Sequence, residues 1–494
     1  MYSKAVLEKA REEGEVLTFD DVTLKEGYAE VMPKDVDVTT RFTRNIGLKI
    51  PMVSAAMDTV TEAPMAIELA KLGGIGVIHK NLTIEEQAEH VARVKHNLHG
   101  FVDRPTYVKE DDRVESILAK GYKYRSFPVI NGEGKLVGIV TGNDFDFCTD
   151  NSVPVSQIMS RDLFTMPVGT DINAAYEIMT KRKKKILPIM NGNGTMAGMF
   201  VYSDVKRVKT RSNETYTVDS KNRLRVAAAV GTGDKALERI QALVEQDVDA
   251  IVIDTAHADS KPVKDTLIEA KRVYHSLEFV VGNVSSRESA ERVLSWGADA
   301  IKIGQGPGSI CTTRIVAGIG RPQISAVYDC YKAIGDEIPL CADGGLRFPG
   351  DIVKAIAAGA HYVMMGKMLA GTDEAPGDII FVEGRQFKTY RGMGSLEAMQ
   401  NEGSKERYHE TEEVKDRMVP EGVSGRVPYK GKLATVMIQY VGGLRKGMGY
   451  VGAATIEQLR EKGDFDKMTN AGISESHPHD VEITSGSPNY SKEK

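Results

Sequence analysis

The chain has 494 residues, with 64 basic and 69 acidic side chains, a net charge of −5 and a hydrophobic content of 41%. This length exceeds a single hydrophobic core and predicts several domains, at about 100–200 residues per domain. The slightly acidic balance argues against a nucleic-acid-binding protein, and no apolar run reaches the roughly 18 residues of a membrane span. The polar N-terminus is no secretory signal and the cysteines are few, so we expect a reduced, cytoplasmic setting.

Apolar runs alternate with helical segments through residues 1–94 and 211–494. The strand-like runs are IPMVSAA (50–56), GIGVIH (74–79), LRVAAAVG (224–231), AIVIDTA (250–256), FVVGNV (279–284), AIKIGQG (300–306), IPLCADGG (338–345) and HYVMMG (361–366). Strands this uniformly apolar are typical of parallel strands that are buried on both faces. Helices are predicted between them, as at Ala63–Leu72 and at Arg287–Trp296, where Ser286 is the expected N-cap. Eight β/α units predict a TIM barrel.

Two similar segments interrupt this pattern. FPVINGEGKLVGIVTGNDF (127–145) recurs as LPIMNGNGTMAGMFVYSDV (187–205), a constant offset of 60 residues. Each copy predicts a β-hairpin that follows a helix and ends at an aspartate. The pair resembles a tandem CBS (Bateman) module, which we place at residues 95–210, in a surface loop of the barrel where an insertion leaves barrel closure intact.

The CBS resemblance implies a nucleotide site. In that family the aspartate after the second strand binds the ribose of an adenine nucleotide, with a Thr or Ser three residues earlier. The first copy has both, as Thr141 and Asp144, whereas the second has Asp204 but Val201. We therefore expect an adenine or guanine nucleotide here, with a packing module that binds no ligand as the alternative.

Polar, glycine-rich segments follow the later strands, at the end of the barrel where active sites form. GQGPGSICTTR (304–314) holds Cys311 in a loop whose backbone suits an ion or a phosphate. This setting favours a nucleophilic thiol over a small buried hydrophobe at Cys311, whereas Cys330 and Cys341 are expected in element interiors. The segments after strands four, seven and eight are Asp254-Thr255-Ala256-His257, Asp343-Gly344-Gly345 and Gly366-Lys367. Together they predict a nucleotide that lies over the barrel beside a thiol.

The pattern of strands and helices breaks at residues 371–430. This segment has few apolar runs and many charges, including KERYHETEEVKDR (405–417). A long insertion in the top loop of a barrel usually forms a lid or flap, with a disordered loop as the alternative.

Several motifs closely resemble IMP dehydrogenase: GPGSICTTR, ADGG, YRGMGS, ESHPHD, LTFDDVTLKEGY and SAAMDTVTE. The resemblance covers nearly the whole chain, including the CBS insert. It implies NAD-dependent oxidation of IMP to XMP, the committed step of guanine nucleotide synthesis, through a covalent thioimidate on Cys311. Arg407, beside Tyr408 in the flap, would then activate the water that hydrolyses the thioimidate, with help from Thr313 and Glu421. Composition alone makes Arg407 a surface arginine, and only the family pattern assigns it this role.

The same resemblance implies the ligand contacts. Those to IMP are Ser309, Asp343, Gly344, Gly345, Gly366, Lys367, Tyr390, Arg391, Gly392, Met393, Gly394 and Glu421. Those to NAD are Asp254, Thr255, Ala256, Asn283, Gly304, Gln305 and Gly306. A monovalent cation, usually K⁺, is implied at the carbonyls of Gly306, Gly308 and Cys311, with Glu475, Ser476 and His477 contributed by a neighbouring subunit. Such a shared site implies a homotetramer, or an octamer assembled through the CBS module.

The chain departs from the family pattern at a few positions. Lys367 stands where a serine usually faces the phosphate, and Gln305, Ala258 and the Ser285-Ser286 pair change the dinucleotide side. Two rival functions fit the residues: GMP reductase, a related barrel with the same cysteine loop, and a catalytically inactive regulator that only binds nucleotides. The Arg407-Tyr408 pair, YRGMGS and ESHPHD favour the dehydrogenase.

Overall fold

A computed structural model describes residues 4–97, 100–102, 105–121, 126–210, 214–408, 417–484 and 489–490. It contains two compact units. The larger comprises Met1–Asn97, Thr215–Asp219 and Leu224–Lys494, and the smaller comprises Leu98–Glu214 and Ser220–Arg223. No helix in the described ranges has both the length and the hydropathy of a membrane span.

The larger unit is a closed barrel of eight parallel strands. These are β1 (Met52–Ser54), β2 (Ile75–Ile78), β3 (Ala227–Val230), β4 (Ala250–Asp254), β5 (Glu278–Val284), β6 (Ala300–Ile303), β7 (Leu340–Asp343) and β8 (Tyr362–Met365). The barrel closes where Val363 of β8 pairs with Met52 of β1. Strands β2 and β3 pair directly, with Val77 opposite Ala227, although the insert separates them in the sequence. The TIM-barrel prediction and all eight strand positions are confirmed.

Both faces of the barrel strands are buried, as their apolar composition predicts. In β3, Ala227 and Ala229 belong to the cluster inside the barrel, whereas Ala228 and Val230 belong to the cluster between strands and helices. This alternation follows from the two-residue period of a strand. At the N-terminal end of the strands, Phe42 packs against Tyr362 with ring centroids 5.3 Å apart. Side chains therefore fill that end, and a ligand site is left for the opposite end.

Helices connect the strands and cover the barrel. In the larger unit they are Ala5–Glu12, Ala63–Lys71, Ile84–Lys95, Asp234–Val244, Lys261–Val273, Arg287–Ser295, Thr313–Val316, Gln323–Ile334, Pro349–Ala357, Lys367–Ala370, Glu402–Arg407, Leu433–Val451, Ile456–Lys462 and Asn470–Glu475. Capping residues explain where two of them begin, and the cap predicted at Ser286 is confirmed. Ser286 accepts a hydrogen bond from the backbone N–H of Ser289, and Thr83 forms a capping box with Glu86.

The smaller unit contains the sequence repeat as two matching hairpins. Their strands are Phe127–Ile130 with Leu136–Val140, and Ile186–Met190 with Met196–Val201. Phe127 pairs with Val140 as Leu187 pairs with Phe200, so the offset of the sequence is kept in the strand register. The helices of this unit are Val114–Leu118, Gly142–Asp146, Ile172–Arg182 and Tyr202–Lys209, and its short strands are Phe101–Val102, Val108–Lys109 and Met166–Pro167.

The charged segment after β8 folds into a small antiparallel sheet. Its strands are Ile379–Val382, Arg385–Arg391 and Ser424–Pro428, in that order. The helix Glu402–Arg407 lies between the second and third of these strands in the sequence. Residues 409–416, in the middle of the predicted flap, lie outside the described residues.

Candidate active site

A cavity of about 570 Å³ opens at the C-terminal end of the barrel strands. Most of its lining comes from loops that follow the strands and from the charged segment after β8. The lining includes Met57, Asp254, Ala256, His257, Asn283, Lys302, Gly304, Gln305, Gly306, Gly308, Cys311, Thr313, Asp343, Gly344, Gly366, Tyr390, Gly392, Met393, Arg407, Tyr408 and Glu421. The structure thus brings most of the predicted ligand contacts to one site.

Cys311 lies half-buried in the loop after β6. Its Sγ is 3.1 Å from the hydroxyl oxygen of Thr313. Gly306 in the same loop has φ +76°, and a Cβ there would lie 2.5 Å from the side chain of Arg314, so the turn that presents the thiol requires glycine. By contrast, Cys330 and Cys341 are fully buried, and burial raises the pKa of both thiols. The expectation that Cys311, and not Cys330 or Cys341, is placed for chemistry is consistent with these environments.

A second segment holds the cysteine loop in position. The backbone N–H of Thr312 donates to the carbonyl of Glu421 at 2.9 Å, and that of Val423 donates to the carbonyl of Ile310 at 2.9 Å. The N–H of Glu421 in turn donates to the carbonyl of Gly394 at 3.0 Å. These main-chain bonds place the Glu421 side chain in the lining of the same cavity as the Cys311 thiol.

Sequence reasoning missed Lys302, which is the charged centre of the barrel mouth. Its side chain is 1% exposed, and Nζ donates to Asp254 at 2.8 Å and to Asp343 at 2.9 Å. It also bonds to the side-chain oxygen of Asn283, whose amide donates to Asp343 at 2.9 Å. A buried ammonium requires such partners. The signal was present in the sequence, because a lysine inside the apolar run AIKIG has to be paired.

Arg407 and Tyr408 reach into the cavity from the helix Glu402–Arg407. The Arg407 guanidinium forms an ion pair with Asp254. The backbone carbonyl of Arg407 accepts a hydrogen bond from the N–H of Ala256 at 3.1 Å. Burial raises the pKa of Tyr408, whose ring occupies the space that a Cβ on Gly394 would enter. The predicted flap arginine is therefore docked at the barrel mouth.

A smaller cavity of about 270 Å³ adjoins the cysteine loop. Ser309, Gly345, Gly366, Lys367 and Tyr390 line it, all of them predicted phosphate-side or substrate contacts. Burial raises the pKa of Tyr390, and the Ser309 side chain and the Lys367 backbone oppose this shift. Glycine backbones and hydroxyl groups of this kind suit a phosphate, with Lys367 adding a positive charge.

The unusual residues on the dinucleotide side contact one another. The Ser285 hydroxyl donates to Gln305 Oε1 at 2.6 Å, and Gln305 Nε2 donates to the carbonyl of Ala256 at 3.2 Å. Gln305 Nε2 also lies 3.1 Å from His257 Nδ1. Ala258 is fully buried nearby in the chain. The side chain of Gln305 thus links the loops that follow β4, β5 and β6.

Some predicted site residues point elsewhere. The Arg391 guanidinium is paired with Asp58 at 2.8 Å, and its predicted contact with the substrate stays a prediction. The Thr255 hydroxyl donates to the carbonyl of Gly282 at 3.1 Å and is 1% exposed, which removes it from the cavity surface. The Arg391 guanidinium and the Thr255 hydroxyl thus have partners within the protein, and neither partner could be inferred from sequence spacing.

The predicted cation ligands fall into two groups within one chain. Gly306, Gly308 and Cys311 line the large cavity. Ser476 and His477 line a separate cavity of about 350 Å³, and Glu475 ends the helix Asn470–Glu475 beside them. The single chain does not bring the two groups together.

The chain is closely similar to known enzymes. The family model for the IMP dehydrogenase / GMP reductase domain matches residues 16–479. Inosine-5'-monophosphate dehydrogenase of Aquifex aeolicus is 51% identical over 491 residues, which are 98% of this chain and 99% of that protein. The Bacillus subtilis protein of the same name is 46% identical over 483 residues, 96% of this chain and 98% of that protein.

A solved structure is also similar. It is a cysteine-to-alanine variant of GMP reductase from Trypanosoma brucei in complex with guanosine 5'-monophosphate. The comparison of the two structures gives a TM-score of 0.88 at 38% sequence identity, and it covers 94% of this chain and 98% of that chain.

Proposed function

The chain belongs to the IMP dehydrogenase / GMP reductase family, and we propose that it oxidises IMP to XMP with NAD. One observation carries this proposal. The Cys311 thiol, the Thr313 hydroxyl 3.1 Å away, Glu421 and the docked Arg407 all line one cavity at the barrel mouth. This set contains a nucleophile and the groups needed to hydrolyse an intermediate formed on it.

In the proposed reaction, Cys311 Sγ forms a bond to C2 of the IMP base. The thiol would release its proton as this bond forms, and loss of hydride from C2 would leave a thioimidate on Cys311. NAD, held by Asp254, Asn283 and the Gly304–Gly306 segment, would supply the hydride acceptor. Water then adds at C2, and the C2–S bond breaks to release XMP and the free thiol. Arg407 and Tyr408 activate this water, with Thr313 and Glu421 as further proton carriers.

We propose that IMP lies across the two adjoining cavities. The base would face Cys311 and the backbone of Gly392 to Gly394, and the ribose would meet Asp343. The phosphate would bind in the smaller cavity, among Gly345, Gly366 and Tyr390, with Lys367 as the cation. The glycines and hydroxyls that line that cavity support this orientation.

The dinucleotide would bind between Asp254, Asn283 and the Gly304–Gly306 segment, where carboxylate and backbone groups suit a ribose and an amide. The residues of the large cavity fit such a ligand once the Arg407 side chain has left Asp254. Asp254 is 2% exposed, and the Arg407 guanidinium is already paired with it. We therefore propose that dinucleotide and flap occupy this region in turn, the flap after the reduced dinucleotide has left.

A monovalent cation fits the chemistry of the cysteine loop. Backbone carbonyls of Gly306, Gly308 and Cys311 are hard oxygen donors of the kind that K⁺ takes. We propose that Glu475, Ser476 and His477 of a neighbouring subunit complete this site, which would require a homotetramer or an octamer. Analytical ultracentrifugation with and without K⁺ tests the assembly, and a monomer that retains full activity would exclude a shared site.

GMP reductase is the second candidate, since the similar solved structure carries that name. The assay that separates the candidates uses the intact protein with K⁺. IMP and NAD should yield NADH absorbance, whereas a reductase would consume NADPH in the presence of GMP. Silence in both assays would indicate a nucleotide-binding regulator without catalysis. The sequence relatives at 46–51% identity are named as the dehydrogenase, which supports the first outcome.

For the smaller unit we propose a regulatory site for a purine nucleotide. Asp144 accepts hydrogen bonds from both the backbone N–H and the hydroxyl of Thr141, each at 2.7 Å, at the start of the helix Gly142–Asp146. In the second repeat Asp204 is instead paired with Arg207 at 3.3 Å. Calorimetric titration of ATP and GTP should show binding that Asp144→Ala weakens at least tenfold. Equal binding to the variant would exclude Asp144 as a ligand contact.

Lys302 is expected to be essential for positioning the carboxylates of Asp254 and Asp343. In Lys302→Met, Asp343 loses its cation and Asp254 keeps only Arg407, so kcat/KM should fall roughly 100-fold and stability by about 3 kcal/mol. Lys271→Met is the control, because that lysine pairs with Asp299 at 2.8 Å near the other end of the barrel. The control should affect only stability, as measured by denaturant unfolding. Equal kcat/KM values in the two variants would contradict the role of Lys302.

A further inference from the structure

The helix that carries Arg407 docks on the loops that follow β2 and β3. Glu406 Oε2 lies 3.4 Å from the ammonium of Lys80, and Oε1 accepts the backbone N–H of Thr232 at 2.6 Å. Asn81 Nδ2 donates to the Ser404 hydroxyl at 2.8 Å. Glycine makes the approach possible, because a Cβ on Gly403 would lie 2.5 Å from the carbonyl of Lys80.

Lys80 is a buried cation whose ion-pair partner comes from the flap. Its side chain is 2% exposed, and among the described residues the carboxylate within ion-pair distance is that of Glu406. Burial lowers the pKa of Lys80 to about 8, Glu406 opposes this shift, and Arg407 and Arg239 add to it. A buried ammonium requires a carboxylate partner. Docking of the helix therefore places the Glu406 carboxylate beside an ammonium that is buried in the docked state.

We propose that Lys80 and Glu406 form a latch that holds Arg407 over Asp254 during hydrolysis. This inference rests on the proposed function, in which Arg407 activates water. Glu406 directly precedes Arg407, so fixing the Glu406 carboxylate fixes the backbone from which the Arg407 side chain projects. The latch acts through position, and neither of its members touches the reacting atoms.

The latch is linked to the substrate loop. Asn81, which contacts Ser404 of the flap helix, also donates to Asp58 at 3.1 Å. Asp58 in turn holds the guanidinium of Arg391, next to Tyr390 in the strand that lines both cavities. The polar chain Ser404–Asn81–Asp58–Arg391 thus joins the docked flap to the segment proposed to bind IMP.

Glu406→Gln tests the latch, because it removes the charge but keeps an oxygen that accepts the Thr232 amide. We expect the rapid-mix burst of NADH to keep its rate and amplitude, since hydride transfer precedes docking. The steady-state rate should fall about tenfold, with a larger steady-state fraction of the covalent Cys311 adduct by mass spectrometry. KM for NAD should not rise, because a less firmly docked flap competes less for the cavity. Lys405→Gln, which changes a neighbouring charge on the same helix, is the control and should match the wild type.

A double-mutant cycle with Lys80→Met separates a latch from a general loss of structure. If the two side chains act as one pair, the double variant should be no slower than the slower single variant. Multiplied effects, or a Glu406→Gln enzyme with wild-type steady state, would overturn the latch. Should Lys80→Met fail to fold, the kinetics of Glu406→Gln alone decide. Failure of the proposed function is distinct, because the wild type would then form no NADH from IMP.

Discussion

Cys311→Ala is expected to abolish NADH formation from IMP while leaving IMP binding within about threefold of the wild type. The thiol is the protein group that forms a bond to the base in the proposed reaction, so its loss should reduce kcat roughly 10³-fold or more. The other proposed IMP contacts, Asp343, Gly345 and Tyr390, are unchanged by the substitution. Steady-state NADH absorbance measures turnover, and calorimetric titration with IMP measures binding.

Cys148→Ala is the matched control for this prediction. Cys148 is also half-buried, but it lies in the inserted unit. Its replacement should leave turnover unchanged. A Cys311→Ala enzyme that turns over near the wild-type rate would refute covalent catalysis. Loss of IMP binding in that variant would instead show that the thiol loop had lost its structure.

Arg407→Ala is expected to slow hydrolysis of the Cys311 intermediate about 100-fold while sparing hydride transfer. The arginine pairs with Asp254, in the region proposed for the dinucleotide, so its proposed role begins only after the reduced dinucleotide leaves. Rapid mixing should therefore show a full burst of NADH followed by a much slower steady state. A smaller burst is not expected, because Cys311 and the proposed IMP contacts remain.

Arg417→Ala is the control, since it removes an exposed arginine from the same charged segment. It should retain both the burst and the steady state. If Arg407→Ala lost the burst, the arginine would have to act before or during hydride transfer. If its steady state matched the control, the arginine would have no part in hydrolysis.

The barrel was predictable because its strands are apolar on both faces. Each run, such as AIVID in β4, has few alternative places to be buried, and eight such runs separated by helices allow few arrangements. The capping residue Ser286 also predicted where the helix Arg287–Ser295 begins. The Cys311 loop was predictable for a related reason, because glycines at a strand end favour a turn and a shallow ligand site.

The polar contacts of the site were less predictable. Lys302 was missed because it was treated as part of an apolar strand, although its burial required carboxylate partners. The ion pair between the Arg391 guanidinium and Asp58 could not be predicted, because Asp58 is distant in sequence. The docking of Arg407 depends on Lys80 and Thr232, which belong to other loops of the barrel. Such pairings are set by tertiary structure and leave no local pattern.

The insert between β2 and β3 bears on how the barrel folds. Pairing Val77 with Ala227 closes a very long stretch of chain, which costs about 2 kcal/mol more in entropy than closing a connection of about 20 residues. Folding of the insert lowers this entropy cost, because it shortens the chain that separates the two strands. Phe101 and Val102, near its start, pair with Phe200 and Met199, near its end. Once Phe101 and Phe200 are paired, about 50 residues instead of about 150 separate the two barrel strands, which lowers the entropy cost of closure by about 1 kcal/mol.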